Sequence, residues 1–213
     1  MLWAWSILLA TLVVLLLGWS AAVSAASIQE ETLVEPAARS LESSAAYNYI
    51  RAYQAEILGD FDGALAAYDE SVASDPESAF LRMQYAHLLL RRGRPQEAIR
   101  RAEEALRIAP GHVPAMLFLG QVYGSTKRTD EAIELYRKIL KIDPKREEVL
   151  FYLGSLLAAK KEYAAALDLF RKVIEINPGS IMGHYSLGRL YAEMGLFEDA
   201  ARRLEETVRL KPN

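Results

Sequence analysis

Two hydrophobic patterns divide the chain. Leu2 to Leu17 reads LWAWSILLATLVVLLL, and no charged side chain occurs from Met1 to Gln29. From residue 45 onward, apolar residues instead recur three and four positions apart in paired runs, the spacing of one helix face. Turn signals at Gly59-Asp60, Gly93-Arg94 and Gly195-Leu196 separate the runs, and Pro76, Pro110, Pro144, Pro178 and Pro212 follow one another at intervals of 34 residues. Proline ends a helix and biases the residue before it away from helical geometry. Each 34-residue unit therefore predicts two helices joined by a tight turn, with Pro95 tolerated in the first turn of a second helix. The units run 45–78, 79–112, 113–146, 147–180 and 181–213.

Within the units, particular residue types return in phase. The third has Met116, Leu119, Gly120, Tyr123, Ala132, Tyr136 and Pro144, and the fourth has Leu150, Leu153, Gly154, Leu157, Ala166, Phe170 and Pro178. The fifth has His184, Leu187, Gly188, Tyr191, Ala200, Leu204 and Pro212. The second is looser, with Arg82, Tyr85, Ala86, Leu89, Ala98, Ala102 and Pro110. The first keeps Ala52, Ala64, Tyr68 and Pro76 but has Asn48, Arg51 and Ala55 where large apolar residues are usual, so the register of its first helix is the least defined. This set resembles the tetratricopeptide repeat, with its W-x2-L-G-x2-Y, A-x3-F and P signature. Small residues at Ala52, Ala86, Gly120, Gly154 and Gly188, and at Ala64, Ala98, Ala132, Ala166 and Ala200, would let paired helices approach closely. One hairpin cannot bury its apolar face alone, so hairpins stack. The resemblance implies an all-α fold, a right-handed α-solenoid of five helix-turn-helix repeats with a concave side, behind an N-terminal hydrophobic helix.

Residues 1–26 must meet a membrane, as a transmembrane anchor or as a signal peptide cut near Val23-Ser24-Ala25 or Ser24-Ala25-Ala26. Both readings stay open, and either expects export to the periplasm or to the extracytoplasmic face of a membrane, in a bacterium. Residues 27–44 are polar and acidic and read as a linker leading to a helix cap at Ser43 or Ser44. At the other end, Leu204 and Val208 have no capping helix after them. Further repeats, a partner or a second copy are expected to cover that end.

Composition narrows the function. Apolar residues are 52% and charged residues 25% of the chain, and the formal net charge is −3, which argues against a dedicated nucleic-acid binder. The absence of cysteine excludes disulfides, thiolate metal sites and cysteine nucleophiles. His87, His112 and His184 are too far apart to form a local ligand pair, and no phosphate-cradling loop or nucleophile elbow occurs. No catalytic residue, cofactor or metal is expected. Carboxylates such as Glu103-Glu104 and Glu205-Glu206 read as solvated faces beside arginines. Charge is nonetheless unevenly spread: residues 45–78 carry one basic and seven acidic side chains, a net of −6, whereas 79–112 sum to +4 and 113–146 to +3.

In tetratricopeptide proteins the first helices line the groove. The resemblance places there Tyr49 and Tyr53; Met83, Gln84, His87 and Arg91; Leu117, Phe118 and Gln121; Phe151, Tyr152 and Ser155; and Tyr185 and Arg189. Aromatic and methionine side chains give contact area while Gln, His and Arg give directional hydrogen bonds, a mixture suited to holding a peptide or helix. The apolar members could equally be core between repeats. Some relatives clamp acidic chaperone tails with Lys and Asn, but Tyr49, Tyr53, Gln84, Pro114 and Phe118 occupy the matching positions, so that clamp is missing. The expected function is a non-enzymatic protein–protein interaction scaffold of the cell envelope. Alternatives are the recognition or assembly domain of a longer envelope enzyme, or an accessory subunit of a membrane complex.

Overall fold

The computed structural model describes residues 44–210, and the leader, most of the linker and the last proline lie outside them. Among the described residues there are ten α-helices and no strand, and no helix is long and apolar enough to cross a membrane. The chain divides into two compact units, the first ending at Pro76 and the second beginning at Glu77.

The first unit contains α1 (Ala45–Leu58) and α2 (Phe61–Ser74). Ser44 caps α1, its hydroxyl accepting the Tyr47 N–H at 3.1 Å, so one of the orphan donors of the first turn is satisfied. Ala52 and Ala64 are fully buried where the helices meet. Asn48 settles the uncertain register: it is buried, at the position a large apolar residue usually fills, and its side-chain oxygen accepts from Arg51 at 3.0 Å. The other polar atoms inside this hairpin are also paired, with the Ser71 hydroxyl donating to the Ala45 carbonyl at 2.7 Å and the Tyr68 hydroxyl donating to Glu56 at 2.8 Å.

The second unit contains four more hairpins: α3 (Ala79–Arg91) with α4 (Pro95–Ile108), α5 (Val113–Ser125) with α6 (Thr129–Ile142), α7 (Glu147–Ala159) with α8 (Tyr163–Ile176), and α9 (Ile181–Glu193) with α10 (Phe197–Leu210). Each second helix also packs on the first helix of the next hairpin, α4 on α5, α6 on α7 and α8 on α9. The core is continuous through these layers, with Leu88, Leu89, Leu119, Ile139, Leu150, Leu187 and Leu190 all but inaccessible. Burying a side chain of this size stabilises the fold by roughly 1.5–3 kcal/mol. On α10 only Ala200 is buried, while Phe197 and Val208 are 72% and 67% exposed.

Two local devices repeat with the period of the sequence. Before each described closing proline in this unit, Ala109, Asp143 and Asn177 take an extended conformation, and their N–H groups close the last helical bond onto Ala105, Ile139 and Val173. Within each hairpin, the turn places one residue in the left-handed region: Gly59 (φ 77°), Gly93 (φ 71°), Lys127 (φ 63°), Lys161 (φ 63°) and Gly195 (φ 77°). The following N–H then reaches back five residues, as from Arg94 to Leu89 and from Arg128 to Tyr123, both at 2.9 Å, which satisfies carbonyls at the helix end. The sequence marks three of these turns with glycine. Lys127 and Lys161 adopt the same conformation at a steric cost of about 1–2 kcal/mol each, so Lys127→Gly and Lys161→Gly are each expected to raise stability by about 0.5–1 kcal/mol after the entropy of glycine is deducted. Chemical denaturation of the two variants checks this.

Close helix approach yields a second prediction. A Cβ at Gly120 would lie 2.6 Å from the Tyr136 ring, and that ring is buried, whereas a Cβ at Gly124 would lie 3.6 Å from Leu156. Gly120→Ala should therefore destabilise by about 1–3 kcal/mol through overpacking. Gly124→Ala, four residues along the same helix, should stabilise by about 0.5–1 kcal/mol through propensity alone. Thermal melts showing the same sign for both would refute this account of the helix contact.

Candidate partner-binding face

The first helices of the second unit present one side chain after another along their outer faces. On α3, Gln84 is half-buried while His87 and Arg91 are exposed; on α5, Leu117 is half-buried and Gln121 exposed. On α7, Phe151, Tyr152 and Ser155 are half-buried, and on α9, Tyr185 and Arg189 are exposed. Met83 and Phe118 sit beneath this row, 3% and 5% exposed, and belong to the core. The helical reason is simple: Met83 is adjacent to Gln84, and Phe118 to Leu117, so each neighbour points about 100° away. Tyr49 and Tyr53 lie on α1 of the first unit, Tyr49 half-buried with its ring 6.1 Å from Tyr68 and Tyr53 exposed.

Side-chain contacts tie the row together across hairpins. The His87 and Phe118 rings meet edge-on at 4.9 Å, joining α3 to α5. Gln121 donates to the Tyr152 hydroxyl at 3.4 Å, joining α5 to α7. Tyr152 stacks on Tyr136 of α6 at 5.8 Å and touches Phe151, whose ring lies 6.1 Å from Phe170 of α8. Ser155 spends its hydroxyl on the Phe151 carbonyl at 2.9 Å and so contributes little directional bonding to a ligand.

Electrostatics differ between the two ends of the row. Although His87 is accessible as a whole, partial desolvation of its ring, which packs edge-on to Phe118, comes first and the neighbouring Arg91 charge second in holding the imidazole below its ordinary pKa. Both effects favour the neutral imidazole, which offers one donor and one acceptor. Burial, followed by Tyr152 and Glu148, pushes the Tyr136 hydroxyl up. Arg189 pairs with Glu193 at 3.5 Å.

At the start of α7 lies a depression of about 380 Å³ lined by Glu147, Glu148, Phe151, Tyr152, Val173, Ser180 and Met182. Sequence reasoning found Phe151 and Tyr152 but not Glu148 or Met182, which stand one helical turn from Tyr152 and Tyr185; extending the exposed stripe by three or four residues would have found both. A second depression, of about 410 Å³, opens among Glu103, Leu106, Tyr123, Glu131, Glu134 and Lys138 on the second-helix side. There Glu103 accepts from the Tyr123 hydroxyl at 2.6 Å, and burial together with this bond pushes Tyr123 up to about 12. Glu103 and Glu104 are thus tied rather than freely solvated, Glu104 meeting Arg82 and Arg101 at 3.3 Å. His112 caps α5, its Nδ1 accepting the Ala115 N–H at 3.2 Å. His184 is buried against the Pro178 carbonyl at 3.0 Å. Among the described residues no three His, Asp or Glu side chains are placed to hold a metal ion.

Comparison with known proteins places this architecture. A tetratricopeptide repeat model matches residues 57–101 and 89–156, and a model of anaphase-promoting complex, cyclosome, subunit 3 matches residues 125–207. No curated protein matches the chain. Among solved structures, the MamA protein is 21% identical with a TM-score of 0.73, over 80% of this chain and 93% of that one. MamA from Desulfovibrio magneticus RS-1 is 18% identical with a TM-score of 0.73, over 79% and 95%. YrrB, a tetratricopeptide-repeat protein with an unusual peptide-binding site, is 22% identical with a TM-score of 0.71, over 84% and 92%. At these identities the likeness is one of fold, and together with the repeat models it identifies tetratricopeptide repeats among the described residues, which are all-helical.

Proposed function

We propose that this chain is a non-enzymatic interaction scaffold of the cell envelope, built of five tetratricopeptide repeats, which holds a peptide or helix of a partner protein on its first-helix face. One observation carries the reading: the row from Gln84 through Gln121 and Tyr152 to Tyr185 combines accessible aromatic surface with hydrogen-bonding groups, and the contacts of His87 with Phe118 and of Gln121 with Tyr152 hold its part on α3, α5 and α7 in place before any ligand arrives. A preformed row lowers the ordering cost of binding. The peptide-binding site of YrrB, a fold neighbour, supports the same use. Export rests on the apolar run of residues 2–17, and residues 1–26 would hold the scaffold at the membrane if they are retained.

A second reading, a recognition or assembly module working with another domain or complex, draws on α10, where Phe197 and Val208 remain exposed. Its signature is a partner that touches α10 instead of the first helices.

Site-specific photocrosslinking in native envelopes separates these readings. A crosslinker replacing Tyr185 should capture a partner, and one replacing exposed Lys172 on α8 should not. Capture at Lys172 but not Tyr185 would defeat the proposal. In the chain without a crosslinker, Tyr185→Ala with Gln121→Ala should weaken co-purification of the captured partner by about tenfold while changing stability by less than about 1 kcal/mol, because both side chains lie at the surface.

His87 adds a pH dependence. Its pKa is lowered in the folded chain, so the unfolded chain takes up the proton first. Stability contributed by neutral His87 is present above the ordinary histidine value of about 6.5 and falls as pH drops from there toward the folded value. NMR titration should place His87 below that value, and His87→Gln should flatten the stability slope in this window.

A further inference from the structure

The turns inside the hairpins of the second unit lie at one end of their helices, and the connections between hairpins lie at the other, about 20 Å away for helices of this length. The two ends differ in charge. Residues 91–97, 125–131 and 159–165, which span the first three turns, carry seven cations against four carboxylates, whereas the connections at 109–114, 143–148 and 177–182 carry two against three. Consecutive turns are neighbours in space, since Lys160 Nζ reaches Asp130, beside the preceding turn, at 2.6 Å. The fifth hairpin closes the stretch, its turn carrying Glu193, Glu198 and Asp199 and no cation.

The carboxylates of the three basic turns are already matched: Glu97 pairs with Arg94, Glu131 with Arg128, and Asp130 and Glu162 with Lys160. Lys127 and Lys161 meet no carboxylate among the described residues, and both are exposed. Arg91 and Arg92 add two further exposed cations at the end of α3. The backbone at these turns points the same way. Lys127 and Lys161 occupy the left-handed position that Gly93 and Gly195 hold in the other turns of this unit, a conformation in which a side chain raises the energy and glycine does not. Folding alone would favour glycine at both. Residues kept in such conformations cluster at functional sites, and here two consecutive turns each hold a lysine at the tip.

We propose that this turn edge rests on a surface of anionic phospholipid, with Lys127 and Lys161 at the contact. Exposed turn tips form a row of points, so an extended anionic surface can meet several of them at once. The ammonium of lysine is a compact charge on a flexible stem and suits a fluid headgroup layer that offers no fixed geometry. The apolar run of residues 2–17 favours lipid over an acidic polypeptide as the source of the negative charge. Each basic residue close to an anionic bilayer adds to the attraction, within about one Debye length of the surface. This contact stands apart from the row on the first helices, so either can fail without the other.

The test uses the full chain in vesicles of phosphatidylcholine alone or with about 30% phosphatidylglycerol, so that the apolar run meets lipid in both. Because the chain has no cysteine, one fluorophore can be attached through Ala159→Cys beside the basic turn, or through Gly111→Cys in a connection, both exposed positions. Acrylamide, a neutral quencher that membrane charge does not repel, reads the shielding. Quenching at Ala159→Cys should be about threefold weaker in anionic than in neutral vesicles at low salt, and equal in the two at about 1 M salt, where the Debye length is about 3 Å. At Gly111→Cys the two vesicles should match throughout. Lys127→Gln with Lys161→Gln should abolish the shielding and Lys127→Arg with Lys161→Arg should keep it, with circular dichroism checking the fold. Lys161→Gln alone should remove about half of the shielding, and serves if the double variant does not fold. Equal quenching at Ala159→Cys in the two vesicles, equal shielding at Gly111→Cys, or shielding that survives both Lys→Gln changes in a folded protein would each overturn the proposal. Shielding by soluble polyglutamate with none from anionic lipid would overturn it in favour of an acidic polypeptide.

Discussion

The contact on which the structure depends is a bare stretch of helix backbone pressed against a ring. At Gly120 and Gly154 the backbone of a first helix lies so close to Tyr136 and Phe170 that even a methyl group would collide, and at Gly188 the same gap is filled by Leu204. A larger residue would hold the helices apart and loosen the layer that the next hairpin packs against. Because the hairpins are stacked, the error would carry into the spacing of the first helices. The ring contact between His87 and Phe118 and the bond from Gln121 to Tyr152 both need that spacing. Packing inside each hairpin therefore sets the geometry of the exposed row.

The same dependence explains what could be read in the sequence and what could not. Prolines and glycines at intervals of 34 residues mark where helices stop and turn, since each type restricts or frees the backbone wherever it occurs. Lys127 and Lys161 escaped notice because a lysine has no preference for the left-handed region, and the neighbouring turn bonds hold it there; only their phase with Gly59 and Gly93 betrays them. Asn48 stands at a core position because Arg51 meets its side chain, a partner that residue type alone does not announce.

The candidate face was less legible than the fold. A helical stripe gives the side of a helix but not the depth of each residue, so buried Met83 and Phe118 were grouped with exposed Arg91 and Tyr185. Carboxylates raised the opposite difficulty. Glu103 and Glu147 look alike in the sequence, yet one accepts from a tyrosine that is itself hard to ionise, and the other is braced by neutral donors beside an open hollow. The difference lies in partners distant in sequence, a tyrosine on another helix 20 residues from Glu103 and two residues of the α8–α9 connection 30 and 33 residues from Glu147.

The layered packing also gives the second unit a mechanical character. Its hairpins are joined by α4 on α5, α6 on α7 and α8 on α9, so they form a series of joints, and in a series small angular freedoms add. A short ligand resting on one first helix would feel almost none of this compliance. A segment reaching from Gln121 to Tyr185 would span the last two joints and stiffen both, giving up conformational entropy at each. The length of a bound segment, and not only its side chains, thus enters its affinity, and the protein can discriminate by reach.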